Sequence, residues 1–221
     1  MKLILLVLVA LFVQTYALNP ITLYKAALSK YPLPTNMITA GSLSVLSDSI
    51  SQKIERLNVE KQVSESKLTI SKKSKHSFER SLAMFFYGFT ISGGFVYLWF
   101  RFLNNLIPTS ASSSIVQVAK KVAVNQIVMS PILNSMFFAW VIFTRTSTFH
   151  LPFQEKLDTL KQKLSQDLMG TIKRSYFYWT TVNMFNFSIV PVQLQLLYTN
   201  LGFVIWTIYL SMVGWRKVSS R

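Results

Sequence analysis

Long apolar stretches alternate with charged segments from residue 82 onward. About 20 apolar residues are enough for a helix to cross the hydrocarbon core of a bilayer. Gly88, Gly93 and Gly94 in the first stretch would allow close approach of another helix, Pro131 in the second predicts a kink, and a break near Pro191 would create a helical hairpin. The pattern predicts an all-α fold, a multi-pass transmembrane helix bundle with about four spans, near residues 82–104, 122–144, 175–192 and 197–215.

Residues 36–55 predict an amphipathic helix that precedes the four spans. Its two faces differ in polarity, with Leu43, Leu46, Ile50 and Ile54 on one and Gly41, Asp48 and Gln52 on the other. Such a helix is a poor lone membrane span. We expect it either to lie at the membrane interface or to complete the bundle with its polar face inward.

The N-terminal residues 1–17 have the form of a secretory signal peptide. One lysine precedes an eleven-residue apolar core, and Thr15 and Ala17 follow at the spacing of small residues at a cleavage site. The core is too short to span a bilayer, which favours cleavage over an uncleaved anchor. Residues 18–221 are then expected to form a single membrane domain.

The composition agrees with a membrane protein. Hydrophobic residues make up 51% of the 221 residues and charged residues 14%, whereas a soluble domain carries about 25% charged residues. There is no Cys, and the two histidines, His76 and His150, lie far apart in sequence. The sequence therefore predicts neither a disulfide framework nor a thiolate or histidine metal site.

The net charge of +15 is distributed unevenly along the chain. With four spans, segments 53–80 and 145–174 and the C-terminal tail fall on one side of the membrane, with eight, six and three Lys or Arg. The other side holds only Lys120 and Lys121, and Lys25 and Lys30 would join the positive side if the amphipathic helix did not span. This asymmetry is the positive-inside bias of membrane proteins. A nucleic-acid binder would instead interleave basic and exposed aromatic residues on one face, so no nucleic-acid partner is expected.

An ordered set of motifs between residues 21 and 217 resembles one known family. The C-terminal motifs are the most specific, with the spacing W…NF..VP from Trp179 to Pro191 and W..YLS from Trp206 to Ser211. The set resembles the Mpv-seventeen and twenty-two-kilodalton peroxisomal membrane protein family of small four-span proteins. The resemblance implies structural roles for the shared positions Tyr24, Pro32, Gly41, Trp99, Pro108, Pro131, Trp179, Phe187, Pro191, Trp206 and Tyr209.

The chain also departs from the family pattern at several positions. It has Gly94 where the family usually has Pro, Tyr97 for His, Asn125 for Asp, Thr180 for Pro, Asn183 for Gln and Gln195 for Arg. Three of these changes remove a charged or titratable group from the membrane region. Any gating or selection that relies on such groups in the family is therefore not expected to carry over unchanged.

Asn183 and Asn186 lie three residues apart inside an apolar segment, which places them on one face of a helix. A buried amide is costly in hydrocarbon unless it is hydrogen-bonded. These amides either bond to neighbouring helices and hold the bundle together, or they face a water-filled path. The candidate pore-lining residues are Asp48, Gln52, Asn125, Gln126, Asn134, Asn183 and Asn186.

Asp48 is the only acidic residue outside the two charged blocks, residues 55–79 and 155–167. Intramembrane acids indicate a functional site by default, here one that would bias the charge of a pore. The alternatives are an interfacial residue that touches water, or an ion pair with Arg101 or Lys120. The tryptophans are expected in interfacial belts and in packing, rather than around a cofactor: Trp99, Trp179, Trp206 and Trp215.

The sequence predicts no catalytic residue, metal or cofactor, because it lacks a phosphate-binding loop, a pair of carboxylates and a Ser with a nearby His. The resemblance implies a weakly selective channel for small solutes or metabolites that contributes to organelle membrane homeostasis. The alternative is a non-conducting scaffold or organiser of a membrane complex. The resemblance implies the mitochondrial inner or peroxisomal membrane, whereas the leader favours an organelle of the secretory route. The expected partners are the lipid bilayer and small solutes, and a homo-oligomer is left open.

Overall fold

The computed structural model describes residues 20–66, 76–108, 114–145, 148 and 150–215. The leader, residues 1–17, lies outside the described residues, as does the tail from residue 216. The described chain is helical and confirms the predicted all-α fold class. Its helices are α1 (Pro20–Lys30), α2 (Pro32–Ser66), α3 (Phe78–Leu106), α4 (Ile115–Thr144), α5 (residues 153–189) and α6 (Val192–Gly214).

Three of these helices, α3, α4 and α6, are long and apolar enough to cross a membrane. They contain the stretches 82–104 and 122–144 and most of the stretch 197–215. The stretch 175–192 falls in the second half of α5, whose first half is charged. Membrane crossing by α5 stays a prediction, because its apolar half also carries buried hydroxyl and amide side chains.

The helix boundaries follow from local chemistry. The Ser77 hydroxyl caps α3 by accepting a hydrogen bond from the backbone N–H of Arg80, and Ser114 and Gln117 form a reciprocal capping box at the start of α4. Helix α5 ends at Ile189, where Val190 is extended (φ −79°, ψ 127°). A residue before proline avoids the helical region, so Pro191 sets this break.

Pro131 follows a wider, π-helical turn at Asn125–Met129. Proline has no N–H, and its ring crowds the carbonyl four residues earlier. In the wide turn the backbone N–H of Ser130 donates to the carbonyl of Asn125. Such a turn is a recognised cause of helix bends, and it is the form in which α4 accommodates its proline.

Helix α2 belongs to the bundle and packs along α3 and α6. It starts beside Arg101 at one end of α3 and reaches Arg80 at the other end through Glu55. Its polar face is buried and its apolar face is exposed, since Asp48 is 0% and Leu46 is 51% exposed. Of the two expected placements, the structure therefore has the one in which the polar face points into the bundle.

Glycines bring α2 and α3 into close contact. A Cβ atom at Gly88 would lie 2.5 Å from the carbonyl oxygen of Ala40, and one at Gly93 would lie 2.4 Å from the Cα of Met37. Gly94 differs, because a Cβ there would meet its nearest neighbour at an ordinary 3.6 Å. Two of the three glycines that predicted close helix contact are thus required by the packing.

The interior of the bundle is unusually polar. Among the described residues, 24 polar or charged side chains are buried, compared with 20 hydrophobic ones. Large apolar side chains point outward instead, for example Phe177 at 84% and Ile127 at 69% exposed. An apolar exterior around a hydrogen-bonded interior is the arrangement expected of a helix bundle in lipid.

Buried aromatic residues form much of the apolar packing. Trp179 and Trp206 lie in the core, with Phe203 4.7 Å from Trp179 and Tyr178 stacked 5.7 Å from Trp206, measured between ring centroids. These two tryptophans serve packing rather than an interfacial belt. Trp99 and Trp215 are partly exposed.

The bundle has two ends that recur below. We call the end with Arg80, Arg145 and Trp215 the Arg80 end, and the opposite end, with Arg101 and Pro191, the Pro191 end. Because α2 runs from one end to the other, α1 lies at the Pro191 end, where Lys25 lines the same pocket as Arg101 and Pro191. Lys25 and Lys30 therefore lie opposite the Arg80 end and do not add to the positive charge there.

Candidate functional site

An inner cavity lies between α3, α4, α5 and α6. The centres of water molecules can occupy a volume of about 40 Å³ in it. One water needs about 10–15 Å³ on this measure, so there is room for about three waters. Four of the predicted pore-lining amides and three hydroxyl groups are in its wall: Asn125, Gln126, Asn134, Asn183, Ser130, Ser175 and Thr199.

Two of these amides connect α4 to its neighbours. The side-chain carbonyl of Asn125 accepts a hydrogen bond of 2.7 Å from the indole N–H of Trp99 on α3. The amide of Gln126 donates to the Thr180 hydroxyl of α5 at 3.2 Å. Both amides sit in the wide turn before Pro131, which is where the backbone of α4 departs from regular α-helical bonding.

Asn134 belongs to a small hydroxyl network one turn further along α4. Its amide donates to the Ser130 carbonyl at 2.7 Å, and the Ser130 and Ser175 hydroxyls are 2.7 Å apart. All three side chains are buried. This network joins α4 to α5 and gives the inner cavity a polar wall.

Asn183 and Asn186 share a helix face but differ in their bonding. The Asn186 amide donates to the Thr199 hydroxyl of α6 at 2.9 Å, so it holds α5 and α6 together. Asn183 is 1% exposed, and neither its nitrogen nor its oxygen has a hydrogen-bond partner in the described part of the chain. Asn183 is therefore the amide in the cavity wall whose bonding capacity the protein leaves unused.

A second and larger cavity, the vestibule, lies at the Pro191 end. Its volume on the same measure is about 590 Å³. It is bounded by α1, the start of α2, the end of α3 and the turn between α5 and α6. The charged and amide residues in its wall are Lys25, Asn36, Arg101, Asn104, Gln193 and Gln195.

Phe100 is in the walls of both cavities. Its ring packs edge-to-face against Phe187, with the centroids 5.8 Å apart. Val96, Leu103 and Leu196 complete the apolar cluster around it. This cluster, the Phe100 constriction, lies between the inner cavity and the vestibule.

A buried lysine lies against an aromatic ring of the Phe100 constriction. The ammonium group of Lys121 lies 4.6 Å from the ring centroid of Phe187 and donates a hydrogen bond to Asn104, a residue of the vestibule wall. A cation over an aromatic face is attracted by the ring, and more strongly when both are desolvated. The constriction therefore has positive charge close to its aromatic side chains.

At the Arg80 end, Asp48 is fully buried and paired with Arg80. Nε of Arg80 is 2.7 Å from the Asp48 carboxylate, and its two terminal nitrogens bond to both oxygens of Glu55 at 2.7 and 2.8 Å. The alternative prediction, an ion pair of Asp48 with Arg101 or Lys120, is wrong. Arg101 lies at the other end of the bundle, and Arg80, which sequence reasoning assigned to a polar loop, lies in the first turn of α3.

Every oxygen of the Asp48 carboxylate is further bonded. The hydroxyl of Ser211 donates to one oxygen at 2.7 Å, and that of Ser81 to the other at 2.8 Å. The Gln52 amide donates to the second oxygen at 2.8 Å. Asp48 and Gln52 thus belong to a closed network that joins α2, α3 and α6, and they do not line the inner cavity.

Two arginines enclose Trp215 beside this network. The guanidinium carbons of Arg80 and Arg145 lie 5.2 and 5.4 Å from its ring centroid, and Arg145 also donates to the Trp215 carbonyl. Burial lowers the pKa of Arg145, the charge of Arg80 lowers it further, and Glu55 opposes them. The compact packing of cations, acids and an indole seals this end of the bundle.

The sequence singled out the amides of the inner cavity wall as candidates, but it did not single out several other residues of the site. Phe100, Lys25 and Arg101 were not singled out for a cavity, because an aromatic residue and two basic residues near helix ends are common in any membrane protein. In the described residues, no group of three or more His, Asp or Glu side chains could hold a metal ion.

The Mpv17 / PMP22 family model matches residues 153–211. The chain is 27% identical to PXMP2/4 family protein 4 of Dictyostelium discoideum over 191 residues, covering 86% of this chain and 91% of the relative. It is 29% identical to Protein SYM1 of Debaryomyces hansenii over 197 residues, 86% of each chain. It is 28% identical to the mitochondrial inner membrane protein Mpv17 of Danio rerio over 190 residues, 85% of this chain and 93% of the relative. No solved structure is significantly similar to it.

Proposed function

Because this chain belongs to the Mpv17 / PMP22 family and is an integral membrane protein, we propose that it is a weakly selective pore for small solutes, held here in a closed state. The Danio rerio relative is named as a mitochondrial inner membrane protein, and we extend that location to this chain. The pore would contribute to the solute balance of the organelle.

The observation that carries the proposal is the position of Phe100. Its side chain is in the wall of the inner cavity and in the wall of the vestibule, so the two polar spaces share it. An apolar constriction of this kind blocks a path by excluding water, and it opens when its side chains move apart. Phe187 is the ring against which Phe100 would have to slide.

The amides of the inner cavity would serve the open path. Asn183 has unused hydrogen-bonding capacity, which suits a residue that exchanges bonds with passing water or solute. Asn125, Gln126 and Asn134 keep the cavity polar while their own bonds hold the helices in place. The Arg80 end would form the second barrier, so the full path requires movement at both ends.

The experiment is planar-bilayer recording of the purified protein, comparing Phe100→Ala with the wild type. Removal of the ring joins the two cavities, so we expect discrete channel steps in both proteins and an open probability severalfold higher in the variant. Phe102→Ala is the matched control, because Phe102 is 55% exposed on the same helix and lines neither cavity. We expect it to behave as the wild type does.

Loss of a buried ring also destabilises a core, by about 3–5 kcal/mol for Phe→Ala. Phe100→Leu is therefore recorded in parallel, since it retains most of the packing and removes the flat ring. Silent bilayers for all proteins, each shown to be folded and inserted, would contradict the pore. That result would favour the alternative, a non-conducting scaffold in which the amides only connect helices.

A further inference from the structure

The vestibule is a concave, partly open pocket whose described wall contains basic residues and no acidic ones. Lys25 and Arg101 are in its wall, and neither has an acidic partner in the described part of the chain. Its volume of about 590 Å³ falls in the range of small-molecule sites, about 300–1,000 Å³. Unlike a basic surface patch, it can surround a ligand.

The described segments of the Pro191 end contain no acidic residue. The segments that build it, residues 20–36, 97–125 and 186–200, contain five Lys or Arg and no Asp or Glu. Lys121 adds a buried positive charge behind the wall, through its hydrogen bond to Asn104. An anion that enters the vestibule is therefore attracted from several directions and repelled by no carboxylate nearby.

We propose that the vestibule is a binding site for the phosphate or carboxylate group of a small anion, with Lys25 and Arg101 as its charged ligands. The function of this site rests on the proposed pore, because a small anion bound here would be the class of solute that the pore collects. The same chemistry would suit the phosphate of a lipid headgroup. The site itself needs no conduction to be detected.

The experiment is calorimetric titration of the full-length protein with inorganic phosphate, in nanodiscs of phosphatidylcholine. Hydrogen bonds to charged groups contribute about 1.5–3 kcal/mol, so removal of both cations in Lys25→Gln/Arg101→Gln should lower the affinity by about tenfold or more. Lys120→Gln is the control, because it removes one positive charge from the same end while Lys120 lies outside the vestibule wall. We expect it to bind phosphate within about twofold of the wild type.

A second set of nanodiscs, containing phosphatidylglycerol, separates the two sources of the anionic group. If lipid headgroups occupy the vestibule, phosphate affinity falls in these discs for the wild type and not for the double variant. If the site takes soluble anions, the wild type binds phosphate similarly in both discs. Either result places an anionic group at Lys25 and Arg101.

The proposal is overturned if the double variant binds phosphate as tightly as the wild type, or if Lys120→Gln loses as much affinity as the double variant does. Lys25 and Arg101 are exposed at the pocket surface, so their replacement does not threaten the fold. Phosphate binding without channel activity would contradict the proposed pore and support the anion site. Channel activity without phosphate binding would support the pore and contradict the anion site.

Discussion

At the Arg80 end, the buried carboxylate of Asp48 is paired with Arg80, whereas at the Pro191 end two cations face an open vestibule with no acid among the described residues. Asp48 and Glu55 each bond to the guanidinium of Arg80 at 2.7 Å. Lys25 and Arg101 instead share a pocket of about 590 Å³. The paired charges stabilise the Arg80 end, whereas cations without an acidic partner leave the Pro191 end able to bind a ligand. The same bundle therefore has a structural end and an end suited to ligands.

The largest effect is expected from breaking the network at the Arg80 end. Asp48→Ala leaves Arg80 buried with one of its two acids removed, and truncation of one partner of a buried pair costs about 3–5 kcal/mol. Thermal unfolding in detergent should show a clear fall in midpoint. The result should depend little on salt, since buried charges are poorly screened.

Asp158→Ala is the matched control for that experiment. Asp158 pairs with Lys161 at 3.4 Å, and both side chains are more than half exposed, at 61% and 73%. Exposed pairs of this kind contribute little to stability. An equal loss of stability in the two variants would mean that the network at the Arg80 end does not differ from a surface ion pair.

The sequence predicted the apolar helices and the amphipathic helix because hydrophobic periodicity is local, whereas α1 and the charged first half of α5 were not predicted. The segment 36–55 showed its polar and apolar faces directly, and Gly88 and Gly93 marked where a second helix could approach. The partner of Asp48 was beyond reach, since Arg80 is 32 residues away and stands at the junction of a charged segment and a span. Its selection depends on how α2 and α3 align, which periodicity does not specify.

The vestibule was also beyond sequence reasoning, for a related reason. It exists because α1 turns back at Tyr31 and brings Lys25 beside Arg101 and the 190–196 turn. Two of the positions that depart from the family pattern, Tyr97 and Gln195, are in its wall, and two others, Asn125 and Asn183, are in the wall of the inner cavity. The departures were visible in the sequence, but their grouping around two cavities required the fold.

A smaller effect is expected at the contact that holds α2 in place between the two ends. Gly93→Ala would bring its Cβ to 2.4 Å from the Cα of Met37 and 2.7 Å from the carbonyl oxygen of Asn36. These are backbone atoms that cannot rotate away, so the helices must separate. We expect a loss of about 1–3 kcal/mol, typical of overpacking, measured by thermal unfolding in detergent.

Gly94→Ala gives the comparison for that variant, in the same turn of α3. Its Cβ would lie 3.6 Å from the nearest atom, which is an ordinary contact. Alanine is also favoured over glycine in a helix by up to about 1 kcal/mol, so this variant should be neutral or slightly stabilising. Similar losses for both variants would show that the α2–α3 contact is not set by Gly93.

The smallest and most specific effect is expected between the two ends, at Asn183 and Asn186. Asn186→Leu breaks the 2.9 Å bond to Thr199 and should cost about 1 kcal/mol. Asn183→Leu removes an amide without partners from the wall of a cavity that has room for the larger side chain, so it should raise stability by about 1 kcal/mol. In the bilayer assay the same Asn183→Leu variant should conduct less than the wild type. If Asn183 instead connects helices as Asn186 does, both variants should unfold at a lower temperature than the wild type. In that case Asn183→Leu would not be more stable than the wild type.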